Sequence, residues 1–291
     1  MWGDVAALWR RVASEQQRAA RAGALAAGYA ARSAEGPESF RPLYARMAEL
    51  QRRIEARHRT SADIHELHAR RLAAWLDRPG ASALRPVFMA AIASTMGTAS
   101  ATATLRGQRR GTRVVAVSDA VGRAASDLEI VTGEGPATEA ARNDTLVSAA
   151  GRTLRDRWPQ FGPAIADLGI LAVIAVPMRL DASRLGVLCA YNREPVIGGH
   201  TIEAAGRIAE ALTHSLLAGG AGAPEDATPL VPVVEEADYQ AVVHQAAGMV
   251  SVQCECAVGD AEALLRAHAF AEDQPVEEVA RRIVRGSLRL C

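Results

Sequence analysis

Apolar residues recur at helical spacing along the first 80 residues of the chain. Trp2 to Ala31 is rich in alanine and arginine and ends near the breaker pair Gly36-Pro37. Phe40, Leu43, Met47, Leu50 and Ile54 follow at alternating steps of three and four, the spacing of a coiled-coil seam. Arg57 and Ser61 take the next positions, so the seam is short. Ser61 is placed to cap a further helix carrying Ile64, Leu67, Leu72, Trp75 and Leu76, which Pro79-Gly80 ends. His58, His65 and His68 are expected on a solvated helix face rather than around a metal ion. The arm is expected to pair two protomers; packing onto its own domain is the alternative.

From 81 to 218 the pattern changes. Pro86–Met96 predicts an apolar helix, and Ala101–Arg106 and Arg113–Ser118 predict two strands around a turn at Gly107–Gly111. Asp119 is placed to cap a helix running to Leu128. Gly133-Glu134-Gly135-Pro136 predicts a turn, and a short segment surrounds Leu146-Val147. Trp158 to Pro163 leads a helix to Leu168. Ile170–Leu180 and Arg184–Asn192 are the clearest strands and form a hairpin, and Glu203–Leu217 is an amphipathic helix. This order predicts an α+β domain on an antiparallel sheet. Residues 219–235, rich in glycine, alanine and proline, read as a flexible linker.

The segment 236–291 predicts three short amphipathic helices. On the first, Val242, Val243, Ala246, Met249 and Val250 share an apolar side. Ala241, His244, Ala247, Gly248 and Ser251 lie opposite, a small and nearly uncharged face. A glycine in mid-helix costs about 1 kcal/mol against alanine and lets a bulky partner approach the main chain. Val258, Ala261, Leu264, Leu265, His268 and Ala269 form the buried stripe of the second helix, with Arg266 pointing away. Pro275 suits the start of the third, whose core stripe is Val276, Val279, Ala280, Ile283 and Val284. Arg281, Arg282, Arg285 and Arg289 lie on its far side with Glu278, a face that is either solvated or suited to a phosphate backbone.

Composition narrows the classes. The 291 residues carry zero net charge, so no bulk electrostatic pull toward nucleic acid or membrane exists, and any RNA site must be a local patch. Every basic residue is arginine. No leader peptide and no apolar run of about 20 residues is visible, and the cytoplasm is the expected compartment. Cys189, Cys254, Cys256 and Cys291 suggest neither a disulfide framework nor zinc-ligand spacing. Cys189 is expected in the core of a strand, and Trp158 and Phe161 are expected to pack the fold. No nucleophile elbow, HExxH, phosphate loop or paired-cysteine zinc site is present, so neither an enzyme nor a cofactor is implied.

Two resemblances follow from these residues. The order of elements, with GEGP, RWPQFGPAIADLGILAVIAVPMRL and RLGVLCAYNREP, resembles a GAF domain, especially those ahead of ANTAR modules in actinobacterial regulators. It implies a six-stranded antiparallel sheet with flanking helices and a pocket for a small-molecule ligand. VVHQAAGMVSVQ and DAEALLRAHAFAEDQPVEEVARRIV resemble the ANTAR domain, the RNA-binding module of transcription antitermination regulators. Gln245, Ala246 and Gly248 match its first motif, with Ala247 where the family often has lysine. Asp260 and Ala261 stand at its acidic-alanine pair, Leu265, Arg266 and Ala269 match the second motif, and Val279 and Ala280 lie in the third helix.

The resemblance implies a homodimeric antitermination regulator whose two modules hold paired hairpin loops of nascent RNA. Gln245, Ala246 and Gly248 are the expected close-contact face, joined by Arg266 and Ala269, with Arg281, Arg282 and Arg285 as supporting charge. Unstacked loop bases leave their edges free to be read. A DNA-binding helix-turn-helix is the first alternative. The acidic turn Glu272-Asp273-Gln274-Pro275 and the Glu277-Glu278 start of the third helix disfavour it. A sensor whose degenerate tail binds a protein partner is the second.

Overall fold

Alanine lets the first two helices approach closely. In the computed structural model, α1 (Trp2–Glu35) and α2 (Arg41–Leu76) are joined by a 3-10 turn, Glu38–Phe40. They bury Val5, Val12, Ala19, Ala22 and Ala26 of α1 and Ala48 of α2. Tyr29 stacks on Tyr44 at 6.5 Å, and His58 Nδ1 lies 2.7 Å from Glu15 Oε2. The structure describes residues 2–77, 86–106, 113–180, 183–220, 232–272, 274 and 276–291. They form two compact units, Met1–Val231 and Pro232–Cys291.

Two expectations for the arm fail. Ser61 caps nothing: α2 runs through it without a break, and Ser61 is buried. His65 and His68 do not face solvent, being 4% and 7% exposed. Their rings flank Phe88 at 5.2 and 5.5 Å. The reason is tertiary. The second half of α2 packs against α3 (Phe88–Met96), and imidazole is aromatic enough to serve as packing once one ring nitrogen finds a partner. His65 Nδ1 meets the Ser61 carbonyl at 2.7 Å.

The sheet follows α3. Its strands are β1 (Ser100–Arg106), β2 (Arg113–Val117), β3 (Val147–Ala150), β4 (Ala172–Leu180) and β5 (Ser183–Asn192). All neighbours are antiparallel, in the order β2-β1-β5-β4-β3. Among the described residues the sheet thus has five strands, one fewer than expected. The turn expected at Gly107–Gly111 lies outside the described residues. Alternation along β5 sorts the two faces. Val187, Cys189 and Tyr191 join the core beneath α4 (Ala120–Thr132), α5 (Pro136–Asn143) and α7 (Phe161–Asp167). Helices α2, α3 and α8 (Gly199–Gly220) pack together, and α8 and α3 contact the sheet.

Asp119 caps α4 as expected, accepting from the Gly122 N–H at 2.8 Å. Two helices were not foreseen: α5, whose signal was Pro136 in the first turn, and the six-residue α6 (Arg152–Arg157), too short to show a period. Gly186 sits where β5 passes close to β1. A Cβ there would lie 2.0 Å from the Thr104 carbonyl oxygen.

The second unit holds α9 (Pro232–Gln253), α10 (Val258–Ala271) and α11 (Val276–Val284). Its core is Ala246, Ala247, Val250, Ala261, Leu265, Ala269, Val279, Ala280 and Ile283. Leu264 and Val258, expected in the buried stripe of α10, are 41% and 47% exposed. The unit has too few helices to cover so wide a stripe. Against the expectation for the cysteines, Cys254 is disulfide-bonded to Cys291. A spacing of 37 residues carries no local signal, and the fold alone brings the two together.

Candidate functional site

Helix α5 is anchored over the sheet by a set of polar contacts. The Glu129 carboxylate accepts the Thr138 N–H at 3.0 Å, and it fills the space a Cβ on Gly135 would need. Glu139 accepts from Trp158 Nε1 at 3.0 Å and from Arg157 Nε at 3.0 Å, tying α5 to the end of α6. The Arg157 hydrogen bond and charge hold the Glu139 carboxyl below the usual carboxylate range. Glu134 Oε1 accepts the Gln160 and Phe161 N–H groups at the start of α7. Trp158 and Phe161 pack edge to face in the core at 5.9 Å, and Cys189 is fully buried, all three as the sequence implied. The Tyr191 hydroxyl lies 3.3 Å from Thr102 Oγ1. Burial, then the neighbouring Cys189 and Glu129, raise its phenol well above the ordinary value, so it stays protonated.

Between α5 and the β4–β5 hairpin lies an open cleft of about 240 Å³. Leu105, Ala137, Pro177, Met178 and Val187 give it an apolar lining, with Thr138 among them. Asp144 and Arg184 stand at its edge. Asp144 accepts from Arg179 Nη1 at 3.0 Å, and Arg184 Nη2 lies 3.8 Å from the same carboxylate oxygen. Arg184 is thus the more loosely held cation, 54% exposed. A mostly apolar lining beside the Asp144–Arg184 pair suits a small organic molecule with a polar end. Among the described residues, no group of three or more His, Cys, Asp or Glu converges as a metal-ligand set.

In the terminal unit the expected RNA-contact residues differ in their access to a partner. Gln245 is exposed, and a Cβ on Gly248 would meet nothing within 4 Å, so the main chain there is open to a partner. Arg281 and Arg285 are also exposed, while Arg282 is half-buried and bound to Glu272 and Gln274 at 3.0 and 2.9 Å. Ala246 and Ala269 are 0% and 2% exposed, so neither can touch RNA directly. Their small side chains instead bring the helices together. Ala247, expected on the outer face, is also fully buried, because α11 as well as α10 packs on α9 and widens its inner face. Arg266 lies in α10, and its side chain falls outside the described residues. His244, which motif reasoning passed over, is exposed beside Gln245 with Nδ1 3.2 Å from Glu262 Oε1.

The chain belongs to the GAF domain family, whose model matches residues 58–216, more than half of the chain. A crystallised domain of a protein described as a two-component sensor histidine kinase from Sinorhizobium meliloti is 20% identical. The match covers 46% of this chain and 88% of that one, with a TM-score of 0.35. The GAF domain of an Acinetobacter phosphoenolpyruvate-protein phosphotransferase is 12% identical over 55% of this chain and 96% of that one, with a TM-score of 0.34. No curated protein matches. Among the described residues, no helix is long and apolar enough to cross a membrane.

Proposed function

We propose that this chain is a signal-responsive antitermination regulator, in which a GAF sensor controls an ANTAR-like unit that binds hairpin loops in nascent RNA. The observation that carries the reading is the open main chain at Gly248 beside exposed Gln245 on α9. A flipped base or a sugar-phosphate turn can approach that surface more closely than it could approach any side-chain-covered helix. Arg281 and Arg285 supply charge, Arg266 is the further candidate, and Ala246 and Ala269 act by setting helix spacing. The domain scheme is an arm (1–80), a sensor (81–218), a linker (219–235) and an output unit (236–291). The sensor ligand is a small organic molecule seated between α5 and the β4–β5 hairpin. It acts by binding one state of the sensor more tightly than the other.

The arm makes the protein a homodimer. Phe40, Leu43 and Leu50 are 51%, 52% and 49% exposed, and their three-four spacing is that of a helix seam. Titrating the full chain with a labelled two-hairpin RNA, a duplex DNA of equal length and a scrambled single strand tests the output. Tight binding to the two-hairpin RNA alone supports the proposal, and equal weak binding to all three refutes it. A protein partner is the second reading. Val252, Val258 and Leu264, 81%, 47% and 41% exposed, favour it, because apolar side chains suit a protein surface better than a phosphate backbone.

A further inference from the structure

Among the described residues, nine side chains form the buried core of the terminal unit, and five of them are alanines: Ala246, Ala247, Ala261, Ala269 and Ala280. Burying a methyl group contributes far less than burying a leucine or isoleucine side chain, and units of this size rarely hold together on apolar burial alone. Further apolar surface comes from the stretch after α11. Gly286, at φ +72°, reverses the chain. Its N–H bonds the Ile283 carbonyl at 2.8 Å while the Ser287 N–H bonds the Arg282 carbonyl at 2.9 Å, a glycine-terminated helix end that turns the following residues back along the bundle. Leu288 and Leu290 then pack against the alanine-rich core. Cys291 bonds Cys254, one residue past the end of α9. The bond closes a ring that contains α10 and α11.

We propose that the Cys254–Cys291 bond is a redox clip: oxidised, it holds the strap of Leu288 and Leu290 against the bundle and keeps α9–α11 folded; reduced, it releases the strap and the unit loosens. Cys291 is exposed and Cys254 half-buried, so the bond is accessible to a reductant. The reductant is a dithiol. Its thiolate attacks the exposed Cys291 sulfur and forms a mixed disulfide, and Cys254 leaves as a thiolate and takes up a proton. The second reductant thiol then attacks its own bridging sulfur, leaving Cys291 as a thiol and the reductant as a cyclic disulfide. Cys189 and Cys256 are free thiols and take no part in the clip. The clip is independent of what the unit binds, so its failure and the failure of the RNA reading are distinguishable.

The test uses the full chain purified without reductant. Thiols are counted after denaturation, and amide hydrogen exchange is followed over residues 258–284 before and after dithiothreitol, then after reoxidation. Two reactive thiols before reduction and four after it are expected. Protection of α10 and α11 should fall at least about tenfold on reduction and recover on reoxidation. Cys291→Ser should show the low protection with or without dithiothreitol, and Cys256→Ser should respond as the parent does. Four thiols without reductant, or protection unchanged by reduction, overturns the proposal. So does a Cys256→Ser variant that no longer responds.

Discussion

Arg282 Nη1 donates to Glu272 Oε2 at 3.0 Å, so one arginine of the α11 face is already engaged within its own bundle. Arg281, Arg282 and Arg285 therefore have unequal parts in the proposed interface. Arg285→Ala should weaken binding of the two-hairpin RNA and lower the slope of log affinity against log salt by about one, because a freely exposed guanidinium releases one counterion on meeting a phosphate. Arg282→Ala should lower the stability of the unit by no more than about 1 kcal/mol, the range of an exposed ion pair, with less change in slope. Salt titrations by fluorescence anisotropy, paired with denaturant melts, separate the two. Slopes unchanged from the parent in both variants would show that neither guanidinium meets a phosphate.

Gly248 carries the sharpest prediction for the site. An added Cβ meets nothing, so Gly248→Ala should stabilise α9 by about 0.5–1 kcal/mol through its higher helix propensity. Gly248→Trp should also fold, yet should lose RNA binding by about a hundredfold or more, since an indole would occupy the space of the nucleotide. Circular dichroism checks the fold and anisotropy the binding. Retained affinity in the tryptophan variant would remove the main-chain contact from the model of recognition.

His65 predicts a pH dependence of stability. Burial is the largest cause that brings its pKa down from 6.5 to about 4, opposed by the Ser61 carbonyl. The unfolded chain binds a proton at His65 below about pH 6.5, and the folded chain only below about pH 4. Stability is therefore full above pH 6.5 and falls as the pH drops toward 4, by roughly 3 kcal/mol in all. His214, lowered chiefly by burial, adds in the same sense. Urea melts of the parent and of His65→Phe from pH 7.5 to 4.5 should show a shallower loss for the variant. Parallel profiles would mean that His65 is solvated after all.

Local chemistry made part of this fold legible in the sequence. The Asp119 cap, the Gly133-to-Pro136 turn and the β4–β5 hairpin each declare themselves within a few residues, and all three were recoverable. What escaped depends on distant neighbours. Ser61 carries the signature of a cap, but the helix continues because its next turns are buried under α3. His65 and His68 look solvated on a wheel that cannot show Phe88. Ala247 looked outward because a single helix reveals neither the number nor the angles of the helices packed on it. The site divided likewise. Gln245 could be named as exposed, and Gly248 as a gap in side-chain cover, from their motif, whereas the engagement of Arg282 with Glu272 and the pairing of Cys254 with Cys291 required the bundle.

The half-exposed seam that runs from Phe40 into α2 supplies the last prediction. The tyrosine pair Tyr29–Tyr44 and the buried Ala48 show which side of α2 meets α1, and Phe40, Leu43 and Leu50 are left about half exposed. Three large apolar side chains in heptad register are costly to leave in water, and two copies of the seam can interdigitate as knobs into holes. Replacing both Leu43 and Leu50 with glutamate places like charges at the centre of that contact. The parent should sediment as a dimer at micromolar concentration, and the double variant as a monomer with unchanged helicity. The arm's inner face is untouched, so the substitutions should leave the α1–α2 pairing intact. A parent that sediments as a monomer up to about 100 μM would place the apparent dissociation constant above that range, and the arm would then have to serve packing within the chain rather than assembly.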